Sequence, residues 1–346
     1  MTSAPMMRAA RLDLATRKLA VKDIPRPRPA YGEVLVRVAA AGVCLSDVHI
    51  VQGLITPRRI RSGELTLGHE VAGTVAAPGA GVDGWPLGRR VVLQPIVARK
   101  DGNHTLGVDY QGGWADYVVT PATTLVPIPD PLPFAQAAII PDAVSTPWSA
   151  ITTTAAVRPG QGVGIWGVGG LGAHAVQLAR LVGAAPVIAV DPLPSARERA
   201  LALGADAALD PGAADFAQQL VTAGRGRRPD VALDFAGVPA AQRQLLESLA
   251  PQGKAVFVGL SGVPVTIEDS TSFSVYGQQL LGHFGSQYPD VPQLIRLAEL
   301  GRLDLSRSVT EVMSLEDAAE AVHRLEAKIG DPIRIVLRPD RASETG

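Results

Sequence analysis

Three short segments in the first half of the chain contain polar side chains that a region of short strands has little structural reason to hold. They are Cys44-Leu45-Ser46-Asp47-Val48-His49, Gly68-His69-Glu70 and Pro141-Asp142. A catalytic zinc ion takes three protein ligands from nitrogen, sulfur and oxygen donors and keeps one position open. Cys44, His69 and Asp142 provide this set if the fold brings them together. Glu70 would then be an exchangeable fourth oxygen ligand, or a residue that supports the ligands if water holds the fourth position.

Each of these segments has a structural interpretation when it is taken alone. A lone cysteine is usually a small core residue, and His69 could be a hydrogen-bonded histidine inside a barrel. A proline–aspartate pair such as Pro141-Asp142 commonly forms a turn or caps a helix. The metal hypothesis therefore depends on the three segments occurring in one chain.

A second candidate site is the run Gly167-Val168-Gly169-Gly170-Leu171-Gly172, which fits the G-x-G-x-x-G pattern. It follows an apolar stretch and begins a helical pattern, as the pattern requires. Gly167 permits a tight turn, Gly169 lets the backbone approach a pyrophosphate, and Gly172 allows close packing of the helix on the strand. The amino terminus of the helix then faces the negative charge of a dinucleotide.

Asp191 strengthens the nucleotide hypothesis. It ends the next apolar stretch, PVIAVD, about 20 residues after the glycine motif, where an acidic side chain binds the adenosine ribose hydroxyls. Its charge repels the 2′-phosphate of NADP, so we expect NAD to be the preferred cofactor.

The elements that must position these residues fall into two groups. Alternating apolar and polar residues predict short strands of a partly open β-barrel at 32–40, 69–77, 87–93 and 113–120. After Pro159, apolar stretches predict buried strands at 162–166, 186–190, 230–235 and 254–260. Helical patterns alternate with them at 170–183, 195–203, 213–223 and 239–249. This alternation predicts βαβ units on a doubly wound parallel sheet, an α/β fold.

The end of the chain is predicted to return to the first domain. Helical patterns at 290–301 and 315–328 and a strand at 333–338 follow a parallel sheet whose sixth strand lies near 278–284. We therefore expect a catalytic domain made of residues 1–148 and 286–346, and a nucleotide-binding domain made of residues 149–285.

Composition excludes several classes of function. The chain has 346 residues, 47% of them hydrophobic and 19% charged, with a formal net charge of -1. This balance is typical of a globular protein and argues against binding to nucleic acid or an anionic membrane. One cysteine, Cys44, allows no intramolecular disulfide, and the sequence shows no signal peptide or membrane span. We expect a cytoplasmic protein.

Along nearly its whole length, the chain resembles the zinc-containing medium-chain alcohol dehydrogenases. The resemblance rests on GVCLSDVH, LGHEVAGTV, the GVGGLG turn with Asp191, and GGWADYVV. It implies a GroES-like β-barrel catalytic domain built from both chain ends, with a Rossmann domain inserted between them. It further implies a nicotinamide dinucleotide as cofactor and a small alcohol or carbonyl compound as substrate, and Asp191 selects NAD.

Residue roles also follow from the resemblance. Cys44 and His69 would ligate zinc, and Asp47 would support the metal site. Ser46 would hydrogen-bond the substrate oxygen, and His49 would pass its proton towards solvent. Asp142 stands where many members have a cysteine, and DAVSTPWSA resembles the bacterial secondary-alcohol dehydrogenases, which have an aspartate there.

Two departures from the family pattern matter. Many members hold a structural zinc with four closely spaced cysteines, but residues 94–112 contain none, so we expect one catalytic zinc per chain. The bacterial secondary-alcohol enzymes often use NADP, whereas Asp191 predicts NAD.

Three alternatives remain open from the sequence. A zinc-free quinone or enoyl reductase shares the fold, a polyol dehydrogenase shares the fold and chemistry, and a nucleotide-sensing protein could use the same scaffold.

The exposed apolar edge expected at 278–284 predicts a homodimer or homotetramer.

Overall fold

The computed structural model describes residues 5–339. Its residues divide into two compact units, Met1–Ala143 with Val291–Gly346, and Val144–Asp290. The sequence placed the corresponding boundaries after residue 148 and before residue 286. No helix among the described residues is long and apolar enough to cross a membrane.

Strands are the main regular element of the described chain from residue 5 to residue 143. Its ten strands are β1 (Met6–Asp13), β2 (Leu19–Pro25), β3 (Glu33–Val43), β4 (Glu64–Thr66), β5 (Val71–Pro78), β6 (Arg90–Leu93), β7 (Ile96–Arg99), β8 (Gly102–Thr105), β9 (Tyr117–Pro121) and β10 (Leu125–Pro127). Two helices accompany them, α1 (Leu45–Gln52) and α2 (Phe134–Ala138).

Residues 144–290 alternate strand and helix. The strands are β11 (Val163–Trp166), β12 (Val187–Val190), β13 (Ala207–Leu209), β14 (Val231–Asp234), β15 (Lys254–Phe257) and β16 (Gln279–Gly282). The helices are α3 (Ser145–Ser149), α4 (Gly172–Leu181), α5 (Pro194–Ala202), α6 (Phe216–Ala223), α7 (Pro239–Glu247) and α8 (Ser270–Val275). The last part of the chain adds α9 (Asp290–Glu299), β17 (Val309–Ser314), α10 (Ala318–Glu326) and β18 (Arg334–Arg338).

The first unit is organised around β3. The main sheet has the order β10-β6-β5-β3-β18-β17, and β9 also pairs with β3. Smaller sheets are formed by β2-β1-β4 and by the hairpin β7-β8. The carboxyl-terminal strand β18 pairs antiparallel with β3, with Ile335 opposite Val43. The core between these strands includes Val36, Leu65, Trp114 and Leu337.

The second unit is a six-stranded parallel sheet with the order β13-β12-β11-β14-β15-β16. Strands β11, β12 and β14 are buried at every residue, because helices cover both faces of such a sheet. The strand order reverses between β11 and β14, and ligands of this fold bind at that switch point. The predicted α/β class with a doubly wound parallel sheet is confirmed.

Several elements differ from the prediction. Strands β1 and β2 were missed, because Arg8 and Arg11 interrupt the apolar pattern of the first. Arg11 is nevertheless buried, and its guanidinium donates to Thr66 and Gln111. His69 and Glu70, which were assigned to a strand, precede β5. Residues 140–144 and 150–154 form π-helical turns around α3.

Gly68, beside the candidate ligand His69, offers a test of this packing. It has φ of +95°, and a Cβ built there would lie 2.2 Å from Cδ1 of Trp114. We expect Gly68→Ala to destabilise the protein by about 2–4 kcal/mol, since overpacking adds to backbone strain. Gly63→Ala is the matched control, because Gly63 has φ of +73° with nothing within 4 Å. Equal falls in melting temperature for the two variants would contradict the packing described for Trp114.

Candidate functional site

The first segment of the site is held by the start of α1. Cys44 precedes the helix as its N-cap residue, and its backbone N–H donates to Oδ2 of Asp47 at 3.0 Å. This bond satisfies one of the backbone donors that a helix leaves unpaired at its amino terminus. Asp47 therefore fixes the backbone from which the Cys44 thiol projects.

The structure brings together the side chains of all four predicted metal residues. One ligand atom each from Cys44, His69, Glu70 and Asp142 lie within 4.8 Å of one another. Sγ of Cys44 is 3.3 Å from Oδ2 of Asp142, and Nε2 of His69 is 3.4 Å from the same oxygen. Within residues 5–339, this is the one group of at least three such side chains that is close enough to share a metal ion.

Asp47 also orients the ring of His69. Its Oδ1 lies 3.4 Å from Nδ1 of His69, and Asp47 is completely buried. A histidine that ligates a metal commonly donates its other N–H to a carboxylate, which fixes the ring. Burial lowers the pKa of His69, but Asp47 and Asp142 outweigh this effect and raise the pKa well above its ordinary value.

Glu70 is held at the back of the cluster by Arg334, which the sequence analysis did not identify. A guanidinium nitrogen of Arg334 is 2.8 Å from Oε1 of Glu70 and 3.5 Å from Oδ2 of Asp142. The backbone N–H of Ala143 donates to the same Oε1 at 3.1 Å. Burial raises the pKa of Glu70, and the charge of Arg334 opposes this rise.

Gly42 leaves the space that Glu70 occupies. A Cβ on Gly42 would lie 1.8 Å from Oε2 of Glu70. The backbone N–H of Gly42 donates to the carbonyl of Glu70 at 2.8 Å, and its own carbonyl accepts from the indole of Trp114 at 3.0 Å. Close packing of backbone and carboxylate therefore fixes Glu70 from two sides.

The proposed relay residues both lie on α1. Oγ of Ser46 is 3.4 Å from Nε2 of His69, so the hydroxyl lies beside the ligand cluster. His49 is one turn further along and half-buried, and this burial lowers the pKa of its ring. Among the hydrogen bonds of the described residues, none joins Ser46 directly to His49.

The glycine turn follows β11 in the second unit. Gly167 has φ of +86°, and a Cβ there would lie 2.9 Å from the backbone nitrogen of Ala236. A Cβ on Gly172 would lie 1.8 Å from the carbonyl oxygen of Gly167, so the turn and α4 pack without room for a side chain. Gly169 faces open space, as a close approach of a pyrophosphate requires. Gly170 and Leu171 complete the turn.

Asp191 lies immediately after β12 and binds the same turn. Its Oδ2 accepts from the backbone N–H of Val168 at 2.8 Å, and its Oδ1 accepts from that of Leu193 at 2.9 Å. The residue is 8% exposed. The carboxylate is therefore held in one orientation at the end of β12.

The region without cysteines forms the hairpin β7-β8 and the loop after it. Asp101, in the hairpin turn, contacts the guanidinium of Arg59 and accepts from His104, whose Nε2 is 3.0 Å away. Arg59 also lies 3.6 Å from Asp109. Ion pairs and hydrogen bonds thus connect this hairpin to the chain near residue 59.

Comparison with known proteins matches each of the two units to a domain of the alcohol dehydrogenases. Residues 30–130 match the alcohol dehydrogenase GroES-like domain, and residues 170–299 match the zinc-binding dehydrogenase domain. An NAD-dependent alcohol dehydrogenase of Sulfurisphaera tokodaii is 31% identical, over 92% of this chain and 96% of that protein. A sorbitol dehydrogenase of Bacillus subtilis is 30% identical, over 94% of this chain and 96% of its own length.

A solved structure of an NAD-dependent alcohol dehydrogenase agrees with these matches. It has a TM-score of 0.88 and 28% identity, over 96% of this chain and 100% of that chain. With two family domains in the expected order and relatives matched over nearly their full length, the chain belongs to the zinc-dependent medium-chain alcohol dehydrogenase family.

Proposed function

We propose that this protein is an NAD-dependent zinc alcohol dehydrogenase that interconverts a small alcohol with its aldehyde or ketone. The observation that supports it most strongly is the convergence of Cys44, His69 and Asp142 within 4.8 Å, with Asp47 behind the histidine. Sulfur, nitrogen and oxygen donors in this number suit a catalytic zinc ion, which keeps one position open.

The residues present fit such an ion. Cys44, His69 and Asp142 would hold it, and Glu70 would be an exchangeable fourth oxygen ligand that Arg334 retains when it is not bound. Zinc there supplies a Lewis acid that lowers the pKa of a substrate hydroxyl, and NAD supplies the hydride acceptor.

Ser46 and His49 would carry the substrate proton. The Ser46 hydroxyl lies 3.4 Å from Nε2 of His69, so it can accept a hydrogen bond from a hydroxyl bound beside the cluster. Burial lowers the pKa of His49, so its ring is neutral near pH 7 and can accept the proton. Asp47 would have a positioning role, since it accepts from the Cys44 backbone N–H and its other oxygen lies 3.4 Å from the His69 ring.

NAD would bind at the second unit. Gly167, Gly169, Gly170, Leu171 and Gly172 would receive its pyrophosphate at the amino terminus of α4, and Asp191 would accept hydrogen bonds from the adenosine ribose.

A polyol is the second candidate substrate class. It is favoured by the similarity to a sorbitol dehydrogenase, which is nearly as high as that to the NAD-dependent alcohol dehydrogenase. Turnover with a panel of simple alcohols and polyols, in the presence of NAD, distinguishes the two classes.

We also propose that the protein is a cytoplasmic homodimer or homotetramer. Strand β16 is the outer strand of the parallel sheet, and Val275, Tyr276, Leu280 and Phe284 around it are exposed. An exposed sheet edge with apolar neighbours pairs readily with a second copy. The single cysteine suits a reducing compartment.

Metal analysis tests the proposed ligands. We expect about one zinc per chain in protein purified without chelators. Cys44→Ala should lose the metal because a ligand is removed, whereas Ser46→Ala should keep it as the matched control. Two tightly held zinc ions per chain would contradict the expectation for residues 94–112, and no zinc would favour the zinc-free reductases.

Substitution of the relay residues tests the proton path. Ser46→Ala should lower kcat for alcohol oxidation by about 100- to 10,000-fold, the usual contribution of a general acid–base group. His49→Gln should cost less, because water can replace an outer link, and should shift the pH dependence of the rate. Near-full turnover of Ser46→Ala with zinc bound would show that the proton leaves by another route.

The oligomer is tested by mass in solution at micromolar concentration. We expect the mass of a dimer or tetramer, and we expect Leu280→Lys to lower it because a charge would be placed at the sheet edge. Leu201→Lys is the control, since Leu201 is an exposed leucine on α5. A wild-type monomer would refute the proposal.

A further inference from the structure

Five exposed basic side chains lie on two segments of the first unit, which we call the basic face. They are Arg58, Arg59 and Arg61 in the loop between α1 and β4, and Arg99 and Lys100 in the β7-β8 hairpin. The guanidinium of Arg59 contacts the Asp101 carboxylate and donates to the Asp101 carbonyl at 3.1 Å. Since neighbouring Cα atoms are about 3.8 Å apart, Arg58 and Lys100 each lie one residue from this contact. The loop and the hairpin turn therefore form one surface.

The basic face has an excess of positive charge. The carboxylates that contact it, Asp101 and Asp109, both lie against Arg59. Within residues 5–339, its other four side chains form no ion pair. Five cations against two carboxylates give a formal charge of +3, in a chain whose formal net charge is -1. Such a local concentration of one sign attracts ligands of the opposite sign.

The loop that holds three of the arginines begins at the proposed proton relay. The carbonyl of His49 accepts from the backbone N–H groups of Leu54 and Ile55 at 2.9 and 3.1 Å. Arg58 follows Ile55 by three residues, so their Cα atoms are at most about 11 Å apart. At its other end, the loop leads through β4 to His69. It therefore connects two of the segments that make up the site.

The chain that follows the hairpin is fixed to the backbone beside His69. The N–H groups of Gly112 and Gly113 donate to the carbonyls of Thr66 and Gly68 at 2.7 and 2.8 Å. A Cβ on Gly107 would lie 2.8 Å from the backbone nitrogen of Gly68, so the two segments pack without room for a side chain. Both parts of the basic face thus extend from backbone that contacts the site.

We propose that the substrate carries an anionic group, a carboxylate or a phosphate, away from the carbon that reacts, and that the basic face binds this group. The inference rests on the proposed function, which places the reacting hydroxyl or carbonyl beside Ser46 and the metal ligands. Guanidinium groups suit both anions, because their paired N–H donors match two oxygens. Ser46, the four predicted metal residues and the basic face all belong to the first unit. One unit would therefore hold both ends of such a substrate.

Turnover of two matched compounds tests the proposal. 6-Hydroxyhexanoate and its methyl ester have the same reacting hydroxyl, but only the acid is charged at neutral pH. With zinc-loaded protein and NAD, the readout is the kcat/KM for the acid divided by that for the ester. We expect a ratio of about 10 or more at low ionic strength. It should fall towards 1 near 1 M salt, where charges act over only about 3 Å. The phosphate monoester of 1,6-hexanediol, used in place of the acid, shows which anion is preferred.

Substitutions of the basic face locate the effect. Arg58→Gln combined with Arg61→Gln should lower the ratio by about 10-fold, the usual effect of losing a hydrogen bond to a charged group. The loss should come from a higher KM for the acid at unchanged kcat, because the remote group is bound equally in the ground and transition states. Arg99→Gln combined with Lys100→Gln is an independent second variant with the same expected direction. Arg59 is left intact, because it holds the hairpin.

The matched control is Arg302→Gln combined with Arg307→Gln. These are two exposed arginines of the same unit, between α9 and β17, so the change in net charge is the same. The control should leave the ratio at its wild-type value. A control that lowers the ratio as much as the basic-face variants would overturn the proposal, since net charge alone would then explain the effect.

Two other results would overturn it. One is a wild-type ratio near 1 at low ionic strength, and the other is a ratio that neither basic-face variant changes. In both cases, turnover of the ester with NAD would leave the proposed function intact. Protein that oxidises neither compound nor any simple alcohol would overturn the proposed function, and this inference with it.

Discussion

The carboxylate of Glu70 is fully buried, and its cationic partner Arg334 comes from the last strand of the chain. A buried charge is costly unless it is paired and hydrogen-bonded. The first unit meets this requirement with Arg334, the N–H of Ala143 and the space left by Gly42. Three separate parts of the chain must be in place before Glu70 can be buried, so the site and the sheet order depend on each other.

This pair also shapes the electrostatics of the ligand cluster. Arg334 lies within 3.5 Å of Asp142 as well as binding Glu70, so its charge offsets part of the negative charge of the two carboxylates. If the thiolate of Cys44 and the carboxylates of Glu70 and Asp142 held one divalent cation, their negative charges would exceed the charge of the ion. The positive charge of Arg334 would offset this excess. Arg334 thus offsets negative charge among the buried acidic residues of the site, and Asp47 contacts the imidazole of His69 at 3.4 Å.

The second unit was more predictable than the first. Stretches such as 162–166 and 186–190 are apolar at nearly every position because both faces of the sheet are covered, and the glycine turn has a sequence pattern of its own. Arg334 was not found, because the sequence predicts only a strand at 333–338 and arginines are mostly exposed. Only the pairing of β18 with β3 brings it to the cluster. The sequence did contain one indication of a buried role, because Arg334 lies between the apolar residues Ile333 and Ile335.

In the candidate site, too, the sequence identified residue types but not the contacts between them. Residue types and family resemblance selected Cys44, His69, Glu70 and Asp142, which the fold does bring together. Neither could show that Asp47 accepts from the Cys44 backbone and lies against the His69 ring, because both contacts depend on the start of α1.

The division of the first unit between the two chain ends has a consequence for synthesis on the ribosome. The second unit is one continuous stretch, Val144–Asp290, so all of its strands are available once that stretch has emerged. The first unit must wait for β18, because Val43 of β3 pairs with Ile335. Domains generally fold as units while the chain is made. The nucleotide-binding unit therefore completes before the unit made first, and until β18 arrives, the open side of β3 and the Glu70 carboxylate lack their partners.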